Sequence, residues 1–216
     1  MSEYNDSWDL LKDWFPQLPE ESWEKLHQYT DLLREWNAKI NLVSRKDMDR
    51  LETKHLAHCL TITNFLRLMP NAKVLDVGTG GGLPGIPLSI CYPQARFTLM
   101  DSIGKKVMAV EDMVQRLNLN NVVVKRGRVE ELSKKKSFDF VIGRAVTALP
   151  TFYRWVNNKI SKGSRNSPNN GILYLKGGDY TEELKTSGLH PAKIWNLDEL
   201  LPQAELGEKY LIHFKI

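Results

Sequence analysis

Between residues 22 and 41, apolar side chains recur at steps of three and four: Trp23, Leu26, Tyr29, Leu32, Leu33 and Trp36. That spacing fills one face of an α-helix. Asn37 and Asn41 mark a boundary after it, and Ser44 or Asp47 can cap a second helix over about 47–68. The stripe of that helix is Met48, Leu51, His55, Cys59, Ile62, Phe65 and Leu66, and Pro70-Asn71 closes the segment. From Lys73 the texture changes. Short β-branched runs, KVLDV, RFTLMD, NVVVKR, FDFVIG and GILYLKG, alternate with helical patterns at about 84–91, 103–118 and 148–160. Such alternation predicts a parallel sheet with right-handed crossovers. In the 103–118 helix the expected buried face is Ile103, Val107, Val110, Val114 and Leu117, with Lys105, Lys106 and Arg116 pointing away. IWNLDEL and EKYLIHFKI, around residues 202–207, predict a strand, a loop and a returning antiparallel strand. The polar, basic stretch 161–170 reads as an exposed, mobile loop. The chain thus divides into a helical N-terminal extension, 1–70, packed on an α/β domain, 71–216.

A chain of 216 residues with 42% hydrophobic and 26% charged positions has room for a full core. No uncharged apolar run approaches the roughly 20 residues of a membrane span. The acidic start, MSEYNDSWDLLKDW, lacks a basic-then-apolar signal pattern, so a cytoplasmic protein without a membrane partner is expected. Cys59 and Cys91 lack the spacing of a disulfide framework and read as reduced core thiols. The net charge of +4 is uneven. Residues 1–70 carry nine Lys/Arg against twelve Asp/Glu, whereas residues 71–216 carry 21 against 14. A basic second part suits a polyanionic partner, although charge alone is equally compatible with simple solubility.

The stretch Asp76 to Ser89, DVGTGGGLPGIPLS, carries the candidate chemistry. Gly80-x-Gly82-x-x-Gly85 fits a dinucleotide fingerprint, while Val74-Leu75-Asp76-Val77-Gly78-Thr79-Gly80 fits a pocket for S-adenosylmethionine. A dinucleotide rests its pyrophosphate on a helix N-terminus. S-adenosylmethionine has no phosphate, and its ammonium calls for an acid near the end of the first strand, where Asp76 stands. Asp101, at the end of the second strand, suits ribose hydroxyls but would serve either ligand. Asp76 favours S-adenosylmethionine, as do Pro84 and Pro87, which remove N–H donors a pyrophosphate would use. A purely structural role for Asp76, pinning the glycine loop through backbone N–H groups, is the competing reading. Val129 and Glu130, after the third strand, are placed to frame an adenine, or else simply begin a solvated helix. After the fourth strand stands Ile142-Gly143-Arg144-Ala145-Val146 rather than Asn/Asp-Pro-Pro-aromatic, and no strand-end cysteine is present. Exocyclic amines and pyrimidine carbon are therefore disfavoured as methyl acceptors.

Together these residues resemble the small-subunit ribosomal RNA methyltransferase G family, also called glucose-inhibited division protein B. The likeness covers most of the chain: Trp36-Asn37-x-x-x-Asn41-Leu42, the His55 segment, the loop from Asp76 to Leu88, Asp101-Ser102-Ile103-Gly104-Lys105-Lys106, Arg128-Val129-Glu130, Arg144-Ala145 and Leu175-Lys176-Gly177. It implies a Rossmann-like class I S-adenosylmethionine-dependent methyltransferase fold, with a seven-stranded, mostly parallel sheet and an antiparallel final strand. It further implies methylation of guanine N7 in a loop of bacterial 16S ribosomal RNA, and a cofactor lined by Gly78, Leu83, Val129, Glu130 and Arg144 beside Asp76 and Asp101. The expected partner is 16S ribosomal RNA or the small ribosomal subunit, bound by a monomer. No catalytic residue is assigned, because N7 carries a lone pair and no proton for a base to remove. Arg144, Phe152, Tyr153 and Arg154 are candidates to hold the guanine, with core packing the competing role for Phe152 and Tyr153. Lys125, Arg126, Arg128 and Lys134-Lys135-Lys136 are candidate phosphate contacts. His55, His58 and Cys59 offer at most three metal ligands without a fourth, so packing is the preferred reading; the family likeness has His55 organise the helical cap. The family often has Asp-Ser where this chain has His58-Cys59. Two rivals stand beside this reading: a dinucleotide oxidoreductase and a non-catalytic RNA-binding assembly factor with a retained cofactor fold.

Overall fold

The computed structural model describes residues 3–133 and 135–216. Lys134, first of the three-lysine run, and the first two residues of the acidic N-terminus lie outside the described residues. Helices α1 (Glu3–Trp14) and α2 (Glu20–Lys39) open the fold. The predicted stripe of α2 turns inward: Trp23, Leu26, Tyr29, Leu32 and Leu33 are buried, and Trp36 is partly so. Asn37 lies within the helix rather than at its boundary. Its buried Oδ1 accepts from the Leu42 and Val43 amides at 2.8 and 2.9 Å, folding the chain back as it leaves α2.

The single helix expected over 47–68 is replaced by a run of changing windings. A 3₁₀ segment, Arg45–Arg50, leads into a π-wound segment, Leu51–Leu56, then helix α3 (Ala57–Leu60) and a second 3₁₀ segment, Thr61–Asn64. Leu51, Cys59, Ile62 and Leu66 are buried as the periodicity requires. Polar groups turn inward among them, however. Glu52 is 2% exposed and takes a two-pronged contact from Arg34 of α2, at 2.6 and 2.7 Å. Meeting such buried polar partners constrains the backbone in ways that an apolar stripe does not encode.

The sheet follows as expected: β1 (Lys73–Val77), β2 (Arg96–Asp101), β3 (Val122–Arg126), β4 (Phe140–Arg144), β5 (Gly171–Gly177), β6 (Lys193–Asn196) and β7 (Lys209–Lys215). Their order is β3-β2-β1-β4-β5-β7-β6; β7 runs antiparallel to both β5 and β6, and the other pairs are parallel. Helices α4 (Gly85–Cys91), α5 (Gly104–Arg116) and α6 (Leu149–Val156) are the crossovers, with α7 (Thr181–Ser187) and α8 (Leu197–Leu200) in the last third. The first two helices and one side of the sheet share a continuous apolar core, from Leu11 and Leu26 to Val74 and Phe140. A second core, with Leu75, Val141, Phe152 and Tyr174, fills the other side under α6.

Local departures have physical causes. Ile103, expected inside, is 43% exposed, because it caps α5 in an extended conformation and so falls outside the helical period. The 161–170 loop is anchored rather than loose. Buried Asn166 accepts from the Met69 amide and donates to Asn170, which donates on to Asp139. Cys59 and Cys91 are free thiols. Among the described residues, no helix is long and apolar enough to cross a membrane.

Asn37→Ala strands two backbone N–H groups and is expected to lower unfolding free energy by about 1–3 kcal/mol. Asn37→Asp keeps the acceptor and should lose much less; denaturant unfolding of the two variants checks the difference.

Candidate functional site

In open α/β sheets a ligand sits beyond the carboxyl ends of the strands, where strand order reverses. Here the reversal falls between β1 and β4. A larger groove, of about 680 Å³, lies at the opposite pole, among Lys73, Arg96, Asn71 and Asn121 at the amino ends of the strands. The cleft at the carboxyl ends is smaller, about 200 Å³, and is lined by Gly78, Asp101, Val129, Glu130, Met100, Gly127, Val146 and Trp155 among others. Four of the sequence-predicted residues, Gly78, Asp101, Val129 and Glu130, therefore meet in one place. Asp76 and Leu83 are buried beneath the glycine loop, and Arg144 stands at the end of β4.

The loop after β1 is held by hydrogen bonds within itself and to the end of β2. Gly78 and Thr79 donate to Met100 C=O, Gly80 donates to Asp101 Oδ2, Gly82 and Leu83 donate to Thr79 C=O, and Gly85 donates to Asp76 Oδ2. Tyr29 of α2, fully buried, donates its hydroxyl to Gly81 C=O at 2.8 Å. These amides already have acceptors, so a pyrophosphate approaching the start of α4 would find few donors. That argues against the dinucleotide reading on geometry.

Asp76 has no exposed surface, and its Oδ2 accepts from Thr79 Oγ1 at 2.6 Å and Gly85 N at 3.0 Å. The pinning role is real, yet it uses only one oxygen. Oδ1 is buried, without a partner among the described residues. Burial is the main influence on this carboxyl and raises its pKa to about 7, against the opposing pull of its two hydrogen bonds and of Arg144. Gly85 is required beside it, since a Cβ there would lie 2.5 Å from Asp76 Oδ2. Asp101 is 7% exposed; its Oδ2 takes the Gly80 amide and its Oδ1 the Ile103 amide at 2.9 Å. Each of these oxygens keeps a second lone pair.

The loop after β4 is equally constrained. Ala145 adopts φ +54°, uncommon for a residue with a Cβ. The Tyr174 hydroxyl of β5 accepts from the Val146 and Thr147 amides and donates to Thr147 C=O at 2.7 Å. Glu183 of α7 takes the Leu149 amide at the start of α6 while pairing with Lys176. Val146 is thereby set over Gly78: a Cβ on Gly78, whose φ is +68°, would come within 3.1 Å of it. Arg144 Nη1 contacts His55 Nδ1 at 2.9 Å and, among the described residues, forms no ion pair with a carboxylate.

Of the proposed base-holding residues, Phe152 is core, 1% exposed, with its ring centroid 4.7 Å from that of Tyr174 and the two planes tilted at 58°, and Tyr153 packs on Phe214. Trp155, which periodicity did not single out, is the aromatic of α6 that reaches the cleft. It flanks the helix's buried stripe of Phe152 and Val156, and nothing in local spacing separates such a flank from ordinary surface. Lys125, Arg126 and Arg128 are exposed around the carboxyl end of β3, whereas the exposed Lys135 and Lys136 lead into the amino end of β4, at the opposite pole. His58 is buried and neutral, its pKa pushed well down by burial.

A family model described as rRNA small subunit methyltransferase G matches residues 22–195. The chain is 44% identical over 205 residues to the ribosomal RNA small subunit methyltransferase G of Christiangramia forsetii, covering 95% of each chain. It is 42% identical to the Flavobacterium johnsoniae protein of the same name, covering 96% of this chain and 98% of that one. Among solved structures, geranyl diphosphate C-methyltransferase from Streptomyces coelicolor, in complex with S-adenosyl-L-homocysteine, superposes with a TM-score of 0.57 at 12% identity, covering 88% and 98% of the two chains. That likeness concerns the fold.

Tyr174→Phe leaves two loop amides without their acceptor. It is expected to cost about 1–3 kcal/mol of stability and to speed amide hydrogen exchange at Val146 and Thr147. Unchanged exchange there would show that the hydroxyl does not hold the loop.

Proposed function

Because the chain belongs to the rRNA small subunit methyltransferase G family, we propose that it methylates N7 of a guanine in 16S ribosomal RNA with S-adenosylmethionine, acting as a cytoplasmic monomer on the small subunit or its RNA. The observation that carries this reading is the buried Oδ1 of Asp76, without a partner among the described residues, behind a loop in which the amides of Gly78, Thr79, Gly80, Gly82, Leu83 and Gly85 already have acceptors. Such a loop suits a cationic, phosphate-free ligand.

S-adenosylmethionine supplies an electrophilic methyl on a sulfonium centre, and it carries an ammonium, a carboxylate, a ribose diol and an adenine to be recognised. Asp76 fits the ammonium. Asp101, with a lone pair left on each oxygen, fits the ribose hydroxyls. Val129 and Glu130 frame the adenine edge, and Gly78 lets that group approach the backbone. Leu83, 3% exposed, lies buried in the loop, its amide donating to Thr79 C=O. Arg144, a half-buried cation whose hydrogen-bond partner among the described residues is the neutral His55, fits the carboxylate.

Guanine N7 needs no general base, so the work left to the chain is alignment and exclusion of water. Val146 and Trp155 are the apolar walls suited to it. In A-form RNA, N7 lies in a deep, narrow groove that side chains cannot read. The target guanine therefore has to be unstacked before it reaches the cleft. The exposed cations around the β3 end suit flanking phosphates.

Mapping N7-methylguanosine in 16S RNA from cells with and without the protein is expected to show one modified guanine present only in the former. Identical maps would overturn the activity. The Asp76 assignment has its own test. With a pKa near 7, its carboxyl is neutral below that pH and anionic above it. Affinity for the cationic ligand should therefore weaken as pH falls from 7 to 5.5, by up to about tenfold per pH unit. Calorimetry at pH 6 should show proton release on binding, and Asp76→Asn should abolish both effects.

A further inference from the structure

We infer that His55 is a positioning residue, a neutral imidazole that aims the Arg144 guanidinium into the site from the segment preceding the sheet. The inference rests on the reading of Arg144 given above. A guanidinium can only donate, so the 2.9 Å contact between Arg144 Nη1 and His55 Nδ1 requires the lone pair on Nδ1 and the proton on Nε2. Nε2 faces Asp47 Oδ2 at 3.4 Å, too long for a full hydrogen bond, so Asp47 orients the ring chiefly by its charge. Asp47 is itself fixed by Lys54 at 2.5 Å. The line Lys54, Asp47, His55, Arg144 thus alternates cation, anion, neutral ring and cation.

His55 stays in that neutral state across physiological pH, because burial, and then the adjacent Arg144, lower its pKa to about 4. The neutrality matters. A carboxylate at position 55 would hold Arg144 equally well but would cancel its charge. An imidazole takes one N–H and leaves the full positive charge and the remaining donors for an anionic group. The same contact occupies Nδ1 and removes it as a metal ligand or base. The backbone agrees with a specialised role: His55 lies in the π-wound segment Leu51–Leu56, a geometry that is rare and frequent at functional sites. Across from it, Arg144 immediately precedes the left-handed Ala145.

The test compares three replacements at position 55 by kcat, KM and Kd for S-adenosylmethionine, with melting temperature as the control for folding. His55→Asn places a carbonyl near Nδ1 and should retain most activity. His55→Phe offers no acceptor, and His55→Gln reaches toward the Nε2 position instead. Both are expected to lower kcat/KM by roughly ten- to a hundredfold. In an Arg144→Ala background His55→Phe should cost nothing further, since its effect passes through the arginine. Additive losses, or an Asn variant no better than Gln, overturn the positioning role even if His55→Phe does not fold. If Arg144→Ala is damaging and the His55 variants are harmless, the positioning role alone fails. If Arg144→Ala itself leaves affinity and turnover intact, the assignment of Arg144 to the site fails with it.

Discussion

A carboxylate with no exposed surface is costly unless something answers it, and much of the candidate site is arranged around Asp76. One oxygen closes the glycine loop against Thr79 and Gly85; the other has no partner among the described residues. Gly85 must lack a side chain for the carboxylate to fit, and Asp101 completes the fold of the loop from the neighbouring strand. The loop is thus rigid before any ligand arrives. Asp76 Oδ1, left without a partner among the described residues, is an acceptor when the carboxyl is ionised, which sets the sign of charge that the site can welcome.

The helical layer takes part in this arrangement. Tyr29 reaches from α2 to Gly81 C=O, and Asn37 folds the chain behind it. Arg34 and Glu52 tie α2 to the π-wound segment, whose His55 meets Arg144. Sheet and helical layer therefore contribute side chains to the same neighbourhood, through hydrogen bonds that would be strained by any shift between them.

On the opposite side the loop after β4 is shaped by β5 and α7. Tyr174 collects two amides and a carbonyl, and Glu183 joins the start of α6 to Lys176. Lys176 belongs to the Leu175-Lys176-Gly177 motif, which is far from Arg144-Ala145 in sequence. Its contact with Glu183 gives that motif a local physical role, as an anchor for the segment that carries Val146.

The alternation of β-branched runs with helical periods was sufficient to predict a parallel sheet with a late antiparallel strand. Each strand that is buried on both faces has to be apolar along its length, and that requirement is written locally. The glycine loop was legible for the same reason, because glycines and prolines constrain the backbone wherever they occur. The winding of 45–64 was not legible, since buried Glu52 and half-buried His55 take their direction from Arg34 and Arg144, partners that no periodicity names. Nor was Trp155, which is a helix flank until the fold sets it beside Gly78 and Glu130. Composition and spacing thus determined which elements form and which stretch carries the chemistry. Only tertiary packing decided which side chains share a hydrogen bond, because those contacts join residues as much as 89 positions apart.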